Sequence, residues 1–282
     1  MKKALSILLA AILLAALCAC GGAEGSVSVT PTPMPTATPT ASPTPEPTPT
    51  PEPYVLRERI PILMYHQIAE PEENNLYLSP ENFRSQLDWL DSHGFTGISM
   101  EALYEHWVLQ KPLPENPIVL SFDDGYLPMY TEAMPRIREK GWSATFYMIS
   151  DAVNNPAEFM SAEQLAEMCD SGMEIGSHTV HHSDLAIIDR ERAAAELADS
   201  RAAIEAMTGR PCTAFCYPSG KYDDELAAMC AECGYHTAVT TQGGVAGVDS
   251  PLYLLPRIRI SSGMDGEALA GKLAGNGVQW AE

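Results

Sequence analysis

Short apolar stretches alternate with amphipathic ones along residues 60–274, and this order limits the folds open to the chain. The stretches 118–122 and 255–260 are typical of buried strands, whereas 162–170 and 190–207 are typical of helices. Alternating strands and helices predict an α/β fold with a mainly parallel sheet, either open or closed into a barrel.

Polar side chains follow directly after several of the predicted strands. In a parallel barrel the carboxyl ends of the strands gather at one face, where active sites form, so we expect these side chains to meet. They are His66, Asp123, Asp124, His178, His181, His182, Tyr217 and Pro218.

The adjacent carboxylates of Asp123 and Asp124 repel each other, so burying both is unfavourable unless a cation or a proton lies between them. His178 and His182 stand four residues apart and supply two imidazoles, with His181 as an alternative second ligand. Two histidines and one carboxylate are a common catalytic zinc set. The sequence therefore predicts a divalent metal, preferably Zn²⁺, although Co²⁺, Ni²⁺ and Mn²⁺ share such ligands.

A metal of this kind lowers the pKa of its bound water and polarises a carbonyl. One aspartate would bind the metal and the other would act as base, and the residues alone leave open which of Asp123 and Asp124 takes each role. A histidine is suited to return a proton to the leaving group near neutral pH. Together these groups predict metal-assisted hydrolysis of an amide or ester.

Three stretches resemble the first three motifs of polysaccharide deacetylases of carbohydrate esterase family 4, the NodB-homology domain. They are Ser-Phe-Asp-Asp-Gly-Tyr at 121–126, His-Thr-Val-His-His at 178–182 and Phe-Cys-Tyr-Pro-Ser-Gly at 215–220. The resemblance implies a distorted (β/α) barrel with about seven strands and a Zn²⁺-type metal. It also implies removal of acetyl groups from N-acetylglucosamine polymers, or less often from acetylated xylan.

The resemblance also implies roles for individual residues. Asp123 is expected to be the general base, and the expected metal ligands are Asp124, His178 and His182, because the family spacing favours His182 over His181. Tyr217 and Pro218 are expected to border the substrate groove, with the backbone N–H of Tyr217 facing the oxyanion.

Two family features are missing from this chain. Many members carry a third-motif arginine that holds the base aspartate, but this chain has Ala-Phe-Cys at 214–216. We expect Arg257 to pair with Asp123 instead, with Arg259 on the same face of the strand as the alternative. Many members also carry a late histidine as general acid, and the stretch 255–260 contains none.

The missing acid has a candidate near the start of the domain. Ile-Leu-Met-Tyr-His at 62–66 resembles the first strand of the poly-β-1,6-N-acetylglucosamine deacetylase branch, in which the acid histidine lies early. The first and last strands of a closed barrel are neighbours, so one point in space is within reach of either. We therefore expect His66 to be the general acid rather than a capping or core histidine.

The first 53 residues predict export. Lys2 and Lys3 precede an apolar run at 5–17 that is too short for a stable membrane span, as in a signal peptide. The following Leu-Cys-Ala-Cys-Gly-Gly resembles a bacterial lipobox, so we expect a lipoprotein signal over 1–20 and a lipid on Cys20, rather than on Cys18 or an unlipidated product. Residues 21–53, rich in proline and threonine, predict a disordered tether. The domain at 54–282 would then be anchored to the cell membrane, facing the extracellular or cell-wall side.

The net charge of the domain limits the kinds of molecule that it is expected to bind. The domain at 54–282 keeps 15 of the 17 basic and 34 of the 37 acidic residues, a net charge of −19, which argues against nucleic acid and anionic membranes. An acetylated glycan polymer is the expected partner.

The domain contains five cysteines, an odd number, so at least one is unpaired. Cys230 and Cys233 are expected in core packing or a disulfide rather than a metal or redox site.

Rival functions use the same residues. They are a glycan O-acetyl esterase acting on acetylxylan, a catalytically weakened glycan-binding envelope protein, and a small-molecule deacetylase. The paired aspartates and histidines favour an enzyme, because a binding protein has no need of a spare carboxylate beside a metal.

Overall fold

A computed structural model describes residues 54–71, 74–153, 155 and 157–280. The predicted signal peptide over 1–20, the lipidation site at Cys20 and the linker over 21–53 lie outside the described residues. Among the residues that are described, no helix is both long enough and apolar enough to cross a membrane.

Strands and helices alternate as the sequence predicts. The strands are β1 (Arg59–Ile60), β2 (Ile62–Tyr65), β3 (Gln67–Ile68), β4 (Tyr77–Leu78), β5 (Phe95–Ile98), β6 (Asn116–Phe122), β7 (Thr145–Met148), β8 (Glu174–Ser177), β9 (Ala214–Cys216), β10 (Thr237–Gly243), β11 (Ala246–Gly247) and β12 (Leu255–Arg259). The α-helices are α1 (Pro80–Ser92), α2 (Met100–Leu109), α3 (Met134–Glu139), α4 (Ala162–Asp170), α5 (Arg190–Thr208), α6 (Asp224–Glu232) and α7 (Gly266–Gly275).

Seven parallel strands close into a barrel in the order β2, β12, β10, β9, β8, β7 and β6, because β6 pairs back with β2. Leu63 in β2 lies opposite Ile258 of β12 on one side and Leu120 of β6 on the other. β5 pairs with the first half of β6. The expected (β/α) barrel with about seven strands is confirmed.

Alternate residues of each barrel strand face opposite sides, and both sides are apolar. Ile62 and Val119 belong to one buried cluster, whereas Leu63 and Leu120 belong to another that includes side chains from the helices. The strands are therefore buried on both faces, which explains their continuous apolar stretches.

Side-chain caps begin the helices where the sequence predicts them. Ser79 accepts the N–H of Asn82 at the start of α1, and Asp189 accepts the N–H of Arg192 at the start of α5. The helix predicted over 129–140 differs, because a π-helical stretch, Met129–Ala133, precedes α3. Pro135, in the first turn of α3, has no N–H to donate to the preceding turn, so the regular α-helical hydrogen bonding does not continue back from α3 into 129–133.

All five cysteines of the domain are free. Cys212 and Cys230 are buried in the cluster beneath the helices, so they act as core residues. The Cys230–Cys233 pair lies at the end of α6, and no other described cysteine is disulfide-bonded to it.

Candidate active site

The carboxyl ends of the barrel strands surround a cavity of about 510 Å³. The predicted site residues that line it are His66, Asp123, Asp124, His178, His182 and Tyr217. These six residues, separated by up to 151 positions in the sequence, thus share one cavity, as expected for the carboxyl-end face of a parallel barrel.

Asp123 follows β6 and forms a two-pronged ion pair with Arg257 of β12. The Nη1 atom of Arg257 donates to Oδ1 of Asp123 at 2.7 Å, and Nη2 donates to Oδ2 at 2.8 Å. The arginine is completely buried and the aspartate is 3% exposed. Both carboxylate oxygens are therefore held in a fixed orientation.

The remaining donors of Arg257 are also engaged. Its Nε donates to the carbonyl of Thr240 at 2.9 Å, Nη1 to Oγ of Ser121 at 3.1 Å and Nη2 to Sγ of Cys216 at 3.3 Å. Burial alone would raise the pKa of Asp123, but the charge and hydrogen bonds of Arg257 outweigh burial and hold that pKa well below its usual range. A buried ion pair is tolerated only when its other polar groups are satisfied in this way.

Asp124 faces two histidines rather than the arginine. Its Oδ1 lies 3.4 Å from Nε2 of His178 and 3.6 Å from Nε2 of His182. One ligand atom from each of the three residues lies within 4.8 Å of the other two. This spacing and this set of donors suit a tetrahedral zinc-type ion with a position left open.

The tautomer of His178 also fits a metal. Its Nδ1 lies 2.7 Å from the carbonyl oxygen of Cys216, which only accepts hydrogen bonds, so Nδ1 carries the proton. The Nε2 atom is therefore the ring nitrogen that faces Asp124, 3.4 Å from its Oδ1. In metal-binding histidines, the ring nitrogen that does not bind the metal usually donates a hydrogen bond of this kind.

The backbone around the cavity adopts left-handed conformations that are uncommon outside glycine. Positive φ angles occur at Asp124 (77°), Thr179 (67°), His182 (56°) and Ser219 (54°). Among the described non-glycine residues, the remaining example is Gln110 (55°), at the end of α2. Such strain persists where the surrounding structure holds it, and it clusters at functional sites.

Glu196 of α5 holds the loop between His178 and His182, and no sequence motif predicted this role. Its Oε2 accepts the backbone N–H of Val180 at 2.8 Å and of His181 at 3.0 Å. Its Oε1 lies 2.8 Å from Nδ1 of His181 and accepts the hydroxyl of Ser183 at 3.0 Å. A glutamate on the buried face of an amphipathic helix was the available signal.

The contact between Glu196 and His181 distinguishes the two histidines, His181 and His182, that were candidates for the second metal ligand. The ring of His181 turns toward Glu196, and its side chain is 61% exposed. His182, not His181, therefore joins Asp124 and His178.

His66 follows β2, next to β12 in the barrel. Its Nε2 lies 3.8 Å from Oδ2 of Asp123, and its Nδ1 is buried without a hydrogen-bond partner among the described residues. Burial lowers the pKa of His66, and the charges of Asp123 and Asp124 oppose that effect only in part. The histidine thus shares the cavity with the aspartates from the strand position that the sequence predicts.

The backbone N–H of Tyr217 and the position of Pro218 differ from what the sequence predicts. The backbone N–H of Tyr217 donates to the carbonyl of Val239 at 3.2 Å, so sheet pairing, not an oxyanion, engages it. The Tyr217 ring is fully buried and its hydroxyl lies 3.3 Å from Sγ of Cys230. Tyr217 still borders the cavity, whereas Pro218 is buried and does not line it, because the chain turns into a 3₁₀ helix there.

Comparison with known proteins agrees with the fold and identifies the family. The sequence profile of the polysaccharide deacetylase family matches residues 110–238. YxkH of Bacillus subtilis (strain 168), whose name places it among the polysaccharide deacetylases, is 32% identical over 210 residues, which are 74% of this chain and 74% of that protein.

The solved structure of Streptococcus pyogenes deacetylase PplD in complex with acetate has 31% identity and a TM-score of 0.71, covering 76% of this chain and 97% of PplD. The poly-beta-1,6-N-acetyl-D-glucosamine N-deacetylase of Escherichia coli (strain K12) is 28% identical over 134 residues, which are 42% of this chain and 20% of that protein. The barrel and its cavity are those of a deacetylating hydrolase. This chain belongs to the polysaccharide deacetylase family, as its motifs predict.

Proposed function

We propose that this chain removes N-acetyl groups from a cell-surface polysaccharide that contains N-acetylglucosamine. The observation that carries the proposal is one cavity that holds an arginine-bound aspartate beside a second aspartate and two histidines. Relatives whose names specify polysaccharide or poly-N-acetylglucosamine substrates support the choice of substrate.

We infer that Asp124, His178 and His182 would hold a divalent ion, with Zn²⁺ preferred. When bound, such an ion supplies a Lewis acid for the acetyl carbonyl and a lower pKa for water. The three side chains approach one another from two loops, after β6 and after β8, so the fold brings the donors together.

Asp123 is suited to accept the proton of the attacking water. Its lowered pKa keeps it ionised at neutral pH, and Arg257 fixes both of its oxygens. His66 is suited to protonate the leaving amine nitrogen. The lowered pKa of His66 makes its protonated form a stronger acid, and the ring lies on the same cavity wall as Asp123.

Acetate release from a panel of acetylated glycans, with and without a chelator, tests the proposal. We expect release from N-acetylglucosamine oligomers that stops with the chelator and falls by about 100-fold or more in Asp123→Asn. Release from acetylxylan alone would favour the esterase. Binding without release from any glycan, with metal restored, would favour the glycan-binding protein.

We further propose that the chain is exported and held at the cell membrane by a lipid on Cys20, with residues 21–53 as the spacer. The basic start, the short apolar run and the Cys-Gly-Gly stretch support this proposal. Replacing Cys20 by alanine should move the protein from the membrane fraction to the soluble fraction. An unchanged distribution would contradict it.

A further inference from the structure

A second arginine of β12, Arg259, lines the catalytic cavity. Side chains two residues apart on a strand face the same side, so Arg259 lies on the face of Arg257, nearer the carboxyl end of the strand. Arg257 is completely buried, whereas Arg259 is partly exposed. In the barrel, Arg259 pairs with Met64 of β2, two residues before His66.

The two arginines differ in what neutralises them. Arg257 is paired with Asp123, but Arg259 has no carboxylate within 4.0 Å and no side-chain hydrogen bond in the described part of the chain. Asp123 is engaged by Arg257, and Asp124 faces His178 and His182. The guanidinium of Arg259 is therefore open to a group that enters the cavity, in a domain where acidic residues greatly outnumber basic ones.

We propose that Arg259 binds a carboxylate on the glycan, so that the substrate class is an N-acetylglucosamine polymer with acidic neighbouring sugars. This inference rests on the proposed function. A guanidinium holds a carboxylate through two parallel N–H···O bonds, which a neutral hydroxyl does not provide. The net charge of the domain repels such a polymer only at long range, where salt screens it, whereas the contact with Arg259 is direct.

The test compares substrates that differ only in charge. One oligomer alternates N-acetylglucosamine with a uronic acid, and a second alternates it with a sugar that carries a lactyl ether acid. Each is also used after its carboxylates are converted to amides. For Arg259→Gln we expect kcat/KM on one or both acidic oligomers to fall about 10- to 100-fold, with less than about a threefold change on the amides.

The ratio of kcat/KM on an acidic oligomer to kcat/KM on its amide isolates the contact between Arg259 and the carboxylate. The charge of Arg259 also acts on His66, but that effect is the same for every substrate and cancels in the ratio. The acidic oligomer on which kcat/KM falls in Arg259→Gln identifies the sugar that supplies the carboxylate. The control is Arg84→Gln, an exposed arginine of α1 outside the cavity, which should leave the ratio unchanged.

A binding measurement separates this inference from the proposed function. Calorimetry with the same four oligomers in an Asp123→Asn background needs no turnover, and adding Arg259→Gln should weaken binding of the acidic oligomer about tenfold or more. If no oligomer releases acetate from the wild type, the proposed function fails while the binding test of Arg259 still stands. An unchanged ratio of acidic to amidated oligomer in rate and in binding would overturn the inference.

Discussion

Asp123 and Asp124 are neighbours in sequence but have different surroundings. Asp123 continues the line of β6 and its N–H still donates to the carbonyl of Tyr65, which places its carboxylate beside Arg257. At Asp124 the backbone turns into the left-handed region, with φ of 77°, and the side chain faces the histidines instead. One backbone turn therefore separates two carboxylates that would otherwise repel each other.

Removing Arg257 should affect both stability and rate. Arg257→Ala leaves Asp123 buried without its partner, and we expect the free energy of unfolding to fall by about 3–5 kcal/mol. Arg257→Lys keeps a charge but not the two-pronged contact, so it should be less destabilised while kcat still falls. Urea unfolding and acetate release measure the two effects. An Arg257→Ala enzyme with the wild-type rate would exclude an orienting role.

Removing His66 should affect rate alone. We expect His66→Ala to lower kcat by about 100-fold or more, because no other described histidine lies as near Asp123 at the cavity wall. Metal content should stay at the wild-type level, since His66 is not one of the three clustered donors. His93→Gln, at the end of α1, is the control. Full activity in His66→Ala would show that the acid lies elsewhere.

At the level of elements, α5 positions the loop between His178 and His182, two of the proposed metal ligands. One buried carboxylate, that of Glu196, accepts two backbone N–H groups of the loop and contacts the side chains of His181 and Ser183. The loop contains two residues with positive φ, Thr179 and His182, so it depends on outside contacts for its shape. Helix and loop therefore act as one unit.

Glu196→Gln should weaken metal binding without removing a ligand. We expect the dissociation constant for Zn²⁺ to rise about 10- to 100-fold, because the amide donates where the loop needs an acceptor. Competition with a chelator on the metal-free protein measures this constant. Asp199→Asn, exposed on the same helix, is the matched control. Equal constants for both variants would contradict the role of Glu196.

The turn after β9 gives a second prediction at this scale. A Cβ at Gly220 would lie 2.0 Å from Oγ1 and 2.6 Å from the backbone N of Thr241, whereas a Cβ at Gly141 would meet no atom within 4 Å. Their φ angles are nearly equal, 67° and 69°, so alanine costs both about 1–2 kcal/mol of backbone strain.

We expect Gly220→Ala to lose about 1–3 kcal/mol more than Gly141→Ala, because only Gly220 has this clash. Denaturant midpoints of the two variants give the comparison. Equal midpoints would mean that the Thr241 segment moves aside.

At the level of the whole molecule, barrel closure assembles the site. β2 lies between β12 and β6, so His66, Arg257 and Asp123 come from three neighbouring strands although Arg257 and Asp123 are 134 residues apart. The apolar clusters inside the barrel and beneath the helices hold this arrangement without any metal ligand. The stability of the fold is therefore expected to be separable from the proposed metal site.

Metal removal should abolish activity and spare the fold. We expect dialysis against a chelator to stop acetate release, to leave the far-ultraviolet circular dichroism unchanged and to lower the melting temperature. At an ion concentration a hundred times the dissociation constant, the decrease should be about 5–10 °C. Zn²⁺ or Co²⁺ should restore both properties. Asp124→Ala should show little of this shift, and a full shift in that variant would place the metal elsewhere.

Local patterns in the sequence were enough to predict the barrel class, the family and most of the polar side chains that line the cavity, although not the position of Pro218. Strand–helix alternation and motif spacing are properties of neighbouring residues, so they are visible before folding. The segment predicted as a helix over 129–140 is helical, but its first part is π-helical, and the N–H of Tyr217, expected to face the oxyanion, donates to Val239 instead. Pro135 and the pairing of Tyr217 with Val239 impose constraints that apolar periodicity does not report.

Other features depended on the tertiary structure. The family spacing favoured His182 over His181, and Arg257 was expected ahead of Arg259, but periodicity by itself does not distinguish the members of either pair. Closure of the barrel buries Arg257 against Asp123 and leaves Arg259 in the cavity, while Glu196 draws His181 away and leaves His182 beside Asp124. These choices arise from contacts between distant segments, which exist only once the ring of strands has closed.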